Sequence, residues 1–87
     1  MLMIADGNYV RLITPDKAFL YRISMNNLES ELNPAHFIRI HRGIIVNRHA
    51  IQSHKYLGNN EFEFVMQNGQ RVVSSRSYKS AIQQSMR

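Results

Sequence analysis

Arg39, His41 and Arg42 lie within the stretch Phe37 to Asn47, FIRIHRGIIVN, an otherwise apolar strand that passes into Ile44, Ile45 and Val46. A segment of this kind can anchor in a core and display cations at one edge. Around it, from His36 to Tyr56, fall Arg39, Arg42, Arg48 and Lys55 and all the histidines of the chain, His36, His41, His49 and His54, with no Asp or Glu among them. The chemistry open to such a window is the binding of negative charge. An acid-free window on a small basic domain points to a polyanion.

Bond-making chemistry finds no support. The histidines are spaced by five, eight and five residues, which matches neither an i, i+4 helical pair nor a zinc pattern, and no cysteine or nearby carboxylate completes a shell. No metal and no cofactor is expected. The carboxylates sit in turns, on a helix face and in one strand, without a nucleophile elbow, a P-loop or a dinucleotide fingerprint. The chain reads as a non-enzyme.

With 87 residues the chain is expected to form one domain, 1–87, burying roughly 60 to 65% of the surface its unfolded chain exposes. Function then belongs on loops and sheet edges, since a deep cleft between lobes has no room to form. The absence of cysteine excludes a disulfide framework. No long apolar run and no leader pattern stands at the start, so the expected setting is soluble and cytoplasmic, with no membrane association. Eleven Lys and Arg against six Asp and Glu give a formal charge of +5, and the excess is uneven. From Arg39 onward the only acids are Glu61 and Glu63, whereas Arg39, Arg42, Arg48, Lys55, Arg71, Arg76, Lys79 and Arg87 are basic. A plain solvated basic face would have the same composition.

The elements that must position these cations are mostly β. Ala5-Asp6-Gly7-Asn8 is turn chemistry, and strands are expected on both sides of it. Tyr9 to Ile13 and Ala18 to Ile23 are rich in β-branched and aromatic residues, with Thr14 to Lys17 as a hairpin loop. From Ser24, a plausible N-cap, Met25, Leu28 and Leu32 recur near helical spacing, with Asn27, Glu29 and Glu31 facing away, until Asn33-Pro34 ends the helix. Phe37 to His41 is a strand followed by a tight connection at Arg42-Gly43. Ile51 to Leu57, Glu61 to Met66 and Arg71 to Val73 form a meander, turning at Gly58-Asn59-Asn60 and at the two-residue signal Asn68-Gly69. Serines at 74, 75 and 77 are candidate N-caps for a short closing helix through Ala81, Ile82 and Met86. Phe37, Ile40, Ile45, Val46, Phe62, Phe64 and Val72 are the expected core. The fold class is mainly β: elongated antiparallel sheets and hairpins with a short central helix and a C-terminal helix.

FIRIHRGIIVN, followed by Ile51, the QNGQRV hairpin and SSRSY, resembles the LytTR DNA-binding domain of bacterial response regulators. ADGNYVRL at Ala5 to Leu12 and the Leu28 to Phe37 passage extend the likeness over nearly the whole chain. The resemblance implies a mostly antiparallel β fold that sends residues from loops, not from a recognition helix, into successive major grooves of duplex DNA. Carried over by position, it implicates Asn8 and Tyr9 at the end of the DGNY turn, Arg42 after the central strand, and Arg76 in the SSR segment. Arginine suits both places, because its planar fork can bond guanine O6 and N7 together or clamp a phosphate. A cation at a helix start opposes the macrodipole, which favours a phosphate role for Arg76. Asn8 could read adenine or bond a phosphate, whereas Tyr9 could pack its ring.

His41 has two readings, a half-buried residue bonded to backbone or a DNA ligand. Asn47 is expected to hold a turn. Arg39, Arg48, Lys55, Arg71 and Lys79 form a reserve of phosphate contacts, which position a duplex without specifying it. Two features depart from the family pattern. Few residues, Met1 to Ile4, precede the DGNY turn, so the first strand is expected to be short or missing, with an edge open to another copy. Gly43 stands where serine is common, removing a hydroxyl that could meet a phosphate. The resemblance further implies an upstream receiver domain that controls occupancy through dimerisation, the domain alone being a monomer or weak homodimer. The competing class is a protein-interaction module that uses an exposed edge strand and the basic face, and a single-strand binder stacking bases on Tyr9, Tyr21, Tyr56 and Tyr78 is a third.

Overall fold

Alternation along the strands sorts the apolar residues onto two faces of one sheet, and two cores follow. The computed structural model describes residues 2–86; Met1, ahead of the first turn, and Arg87, among the C-terminal cations, lie outside the described residues. β1 (Leu2–Asp6), β2 (Tyr9–Ile13), β3 (Ala18–Tyr21), β4 (Phe37–His41) and β5 (Ile44–Asn47) form an antiparallel sheet ordered β3-β2-β1-β5-β4. β6 (Ile51–Gly58), β7 (Glu61–Met66) and β8 (Arg71–Val73) form the expected meander.

On one face of the five-stranded sheet, Leu2, Ile38, Ile40 and Val46 pack with Phe64, Met66 and Val72 of the meander and with Ile82 of the closing helix α2 (Lys79–Ser85). On the other, Met3, Val10 and Ile45 pack with Met25 of α1 (Met25–Glu31), flanked by Leu28, Leu32 and Phe37. The sheet is thus clad by a helix on one side and by a second sheet and a helix on the other. Of the expected core, Ile40, Ile45, Val46, Phe64 and Val72 are buried, while Phe37 and Phe62 pack at its margin. Ser24 caps α1, its Oγ accepting the Asn27 N–H at 3.1 Å, which satisfies one of the donors a helix start leaves unpaired.

Four local expectations change. β1 pairs with β2 on one side and β5 on the other, so the opening strand is central, not an edge. It can be central because Leu2 and Met3 are apolar towards both cores. The stretch after Arg42-Gly43 is a strand of its own, β5, so FIRIHRGIIVN is a hairpin. β3 ends at Tyr21, two residues before its expected limit. The Asn68-Gly69 connection is a three-residue loop: Met66 N–H donates to Gln70 O and Gly69 N–H to Met66 O, each at 2.8 Å, with Gly69 at φ +88°. That is the turn-plus-bulge hairpin in which glycine takes the left-handed position.

Candidate nucleic-acid interface

Antiparallel pairing determines which loops share an end of the sheet. The pairs Asp6↔Tyr9 and Val10↔Tyr21 place the Gly7-Asn8 turn and the residue after β3, Arg22, together. Gly7 has φ +61° in the first position of this two-residue loop, a conformation open to glycine at no steric cost. β1 and β5 run antiparallel with Ile4↔Ile44, which brings the Arg42-Gly43 turn to the same end. Ala5 N–H donates to Gly43 O at 2.8 Å, tying the two turns. By strand spacing their centres lie roughly 10 Å apart.

The Arg76 segment joins this row from the other sheet. Ser74 is 1% exposed, and its Oγ accepts the Phe62 N–H at 2.9 Å while its own N–H donates to Phe62 O at 2.8 Å. Beyond it, Ser75 N–H donates to Ile40 O at 3.0 Å. The short turn Arg76–Tyr78 therefore packs against the outer edge of β4, and Ser75, next to Arg76, is bonded to the strand two residues before Arg42. Arg22, Asn8, Tyr9, Arg42 and Arg76 are all exposed. None of the three arginines has an ion-pair partner among the described residues.

The Arg42 turn is held firmly. His41 Nδ1 accepts the Gly43 N–H at 3.0 Å, so the half-buried, backbone-bonded reading of His41 describes its Nδ1, and the neutral ring then carries its proton on Nε2. A register shift between Arg39 and His41 bends the strand just before the turn. Between the Gly7-Asn8 turn and the start of α1 opens a cleft of about 550 Å³, lined by Asn8, Tyr9, Arg22, Ser24 and Asn27 among others. Arg22 was outside the expected set. Its signal was legible: a cation directly following a strand that the Thr14 to Lys17 hairpin must pair with the strand starting at Tyr9.

Most of the reserve cations are engaged elsewhere. Arg39 is turned inward, its side chain 10% exposed, with Nη1 donating to Asn26 Oδ1 at 2.7 Å and to Glu29 Oε1 at 3.1 Å, and Nη2 donating to Arg42 O. It belongs to the α1 face because it pairs in register with buried Ile45, and a charge so placed must find internal partners. Its expected phosphate contact is therefore corrected. Arg48 lies at the far end of β4 and β5, near His36 and His49, whose Nδ1 and Nε2 are 2.8 Å apart. Four to five residues of strand, roughly 15 Å, separate it from Arg42. Lys55 and Arg71 flank Glu63 on the outer face of the meander at 3.9 and 3.1 Å. Lys79 Nζ donates to Asn60 Oδ1 at 3.1 Å and lies 5.4 Å from the Tyr56 ring centroid, docking α2 on the Asn59-Asn60 tip. Asn47 holds its turn, its Oδ1 accepting the His49 N–H at 2.8 Å.

The sheet, clad as described, carries a row of loops at one end, an arrangement able to present loop side chains to a large ligand. The family model described as LytTr DNA-binding domain matches residues 1–87, and the chain belongs to this family. A solved LytTr DNA-binding domain from Bacillus cereus, described as part of a methyl-accepting/DNA response regulator, superposes with a TM-score of 0.92 at 28% identity, covering 99% of this chain and 79% of that one. The sensory transduction protein LytT of Enterococcus faecalis is 33% identical over 77 residues, 88% of this chain. The transcriptional regulatory protein LytR of Staphylococcus aureus is 37% identical over 54 residues, 62% of this chain. The chain spans 32% and 22% of the lengths of these two relatives. DNA binding is the function of the domain, and the protein-interaction alternative is not favoured: β1, its expected open edge, lies in the middle of the sheet. No helix among the described residues is long and apolar enough to cross a membrane.

Proposed function

We propose that this domain is the output module of a bacterial two-component response regulator, binding promoter DNA sequence-specifically to regulate transcription, with Arg42 and Arg76 as its principal contacts. The observation that carries the reading is the convergence of four exposed loop segments, bearing Arg22, Asn8-Tyr9, Arg42 and Arg76, towards one end of the five-stranded sheet. Each exposed guanidinium there can bond a guanine edge in two places or clamp a phosphate. Asn8 adds an amide that can bond adenine bidentately, and Tyr9, 46% exposed, offers a ring and a hydroxyl at the same place. The longest dimension of the domain is 33 Å, about one turn of duplex at roughly 34 Å. A body of that size can address neighbouring grooves without a recognition helix.

An upstream receiver domain would supply the control. Two such modules held together bind repeated sites with the second at high effective concentration, so dimerisation by a receiver switches occupancy of a domain that binds weakly as a monomer. The reading is tested by selecting duplexes from a random library and measuring affinity by fluorescence anisotropy. Arg42→Ala and Arg76→Ala are each expected to weaken binding of the selected duplex while unfolding at an unchanged temperature. Unchanged affinity in both variants overturns the assignment of the site.

A further inference from the structure

Arg39 stands where three parts of the molecule meet. Through Nη1 it bonds Asn26 Oδ1 and Glu29 Oε1 of α1, through Nη2 it bonds the carbonyl of Arg42, and its Cζ lies 6.0 Å from the ring centroid of Tyr78, in the segment that carries Arg76. We infer that Arg39 is a positioning residue: it fixes the Arg42 turn, and with it the Arg42 guanidinium, in the geometry that reads DNA, using α1 as the anchor. The inference rests on Arg42 being a contact, as proposed above.

Stability alone does not account for this arrangement. Its Nε is buried without a hydrogen-bond partner, and an unsatisfied buried donor is destabilising. Apolar residues of similar volume commonly serve a buried site as well as an ion pair does. What an apolar side chain cannot do is hold a turn carbonyl and a helix at once. The planar fork of arginine spans them in fixed directions, which a lysine ammonium on a flexible stem does not reproduce. The turn needs such a hold because β4 has shifted register between Arg39 and His41, so regular ladder bonds do not determine where Arg42 points. His41 Nδ1 on the Gly43 N–H and Ala5 N–H on Gly43 O fix the far side of the turn, and Arg39 fixes the near side.

A double-mutant cycle in the whole domain decides the matter, with anisotropy on a duplex selected by the unaltered domain and on a random duplex, and thermal unfolding alongside. Arg39→Met is expected to weaken binding of the selected duplex by about tenfold, in the range of one lost bidentate contact, with little change on the random duplex. Arg39→Lys is expected not to restore it. In an Arg42→Ala background the Arg39→Met loss should vanish, because the group it positions is gone. Asn26→Ala and Glu29→Gln, which leave Arg39 in place and loosen its anchor, should show smaller losses of the same kind and serve if Arg39→Met does not fold. Full rescue by lysine, or losses that add independently to Arg42→Ala, overturns the positioning role while leaving Arg42 a contact. No loss from Arg42→Ala overturns the interface reading itself.

Discussion

The Arg42 end of the five-stranded sheet and the outer face of the meander both carry exposed cations, yet they differ in what those cations face. Lys55 and Arg71 flank one carboxylate, Glu63, at 3.9 and 3.1 Å, which offsets one of their two charges. Arg22, Arg42 and Arg76 have no such partner among the described residues, and each sits on a loop whose base is pinned by backbone bonds. A cation available to a ligand is one whose neighbours hold its backbone and leave its charge alone. Composition counts both groups equally, and geometry separates them.

The largest test of this comparison removes the frame common to both regions. Phe64 is fully buried in the core that joins the two sheets, and Phe64→Ala is expected to cost about 3–5 kcal/mol, a large part of the 5–15 kcal/mol typical of a domain. Urea unfolding should show it, with DNA binding lost through unfolding and restored on cooling or with osmolyte. If binding fails while the fold survives, the row of loops depends on finer packing than the shared core.

Arg42→Ala and Arg76→Ala come next, at about 1–3 kcal/mol each if they read bases. Anisotropy on selected and random duplexes separates a base contact, which affects mainly the former, from a phosphate contact, which lowers the salt slope by about one on both. Gly43→Ser tests the turn more gently. Gly43 lacks the positive φ of the other glycines, and a Cβ there meets Ala5 Cβ at 3.4 Å and His41 Nδ1 at 3.7 Å, so a serine fits. A hydroxyl gained beside Arg42 should strengthen binding by about 0.5–1.5 kcal/mol, and unchanged binding with an unchanged unfolding temperature would place the turn away from the duplex.

Much of this was legible from residue order. The hairpins at Gly7-Asn8 and Asn59-Asn60, the Ser24 cap and the meander follow from local chemistry, and so do Arg42 and Arg76 at the ends of strands. Arg39 was not legible. Its alternation with Ile38 and Ile40 says that it points to the opposite face from theirs, but not that α1 packs on that face and offers Asn26 and Glu29. Arg48 was misleading for a related reason: it sits only six residues from Arg42, and the hairpin between them carries it to the other end of the sheet. The central place of β1 depends on pairing with β5 across some forty residues, which no local pattern announces.

The smallest effect bears most directly on where the interface stops. Lys55 is 68% exposed and 3.9 Å from Glu63, a surface pair of the sort worth about 0–1 kcal/mol, so Lys55→Ala should leave the unfolding temperature nearly unchanged. If DNA engages only the loop end of the sheet, the slope of log affinity against log salt should also stay as it was. If the duplex continues across the meander, the slope falls by about one. Arg48→Ala serves as the matched control from the far end of β5 and should leave both affinity and slope unaltered. A loss of slope at Lys55 but not at Arg48 would extend the contact surface along the second sheet, and the Lys55–Glu63–Arg71 cluster would then be a site that exchanges an internal partner for a phosphate. That exchange replaces one carboxylate shared by two cations with two separate oxyanions, and a high-salt buffer, by screening all three charges, would weaken it first.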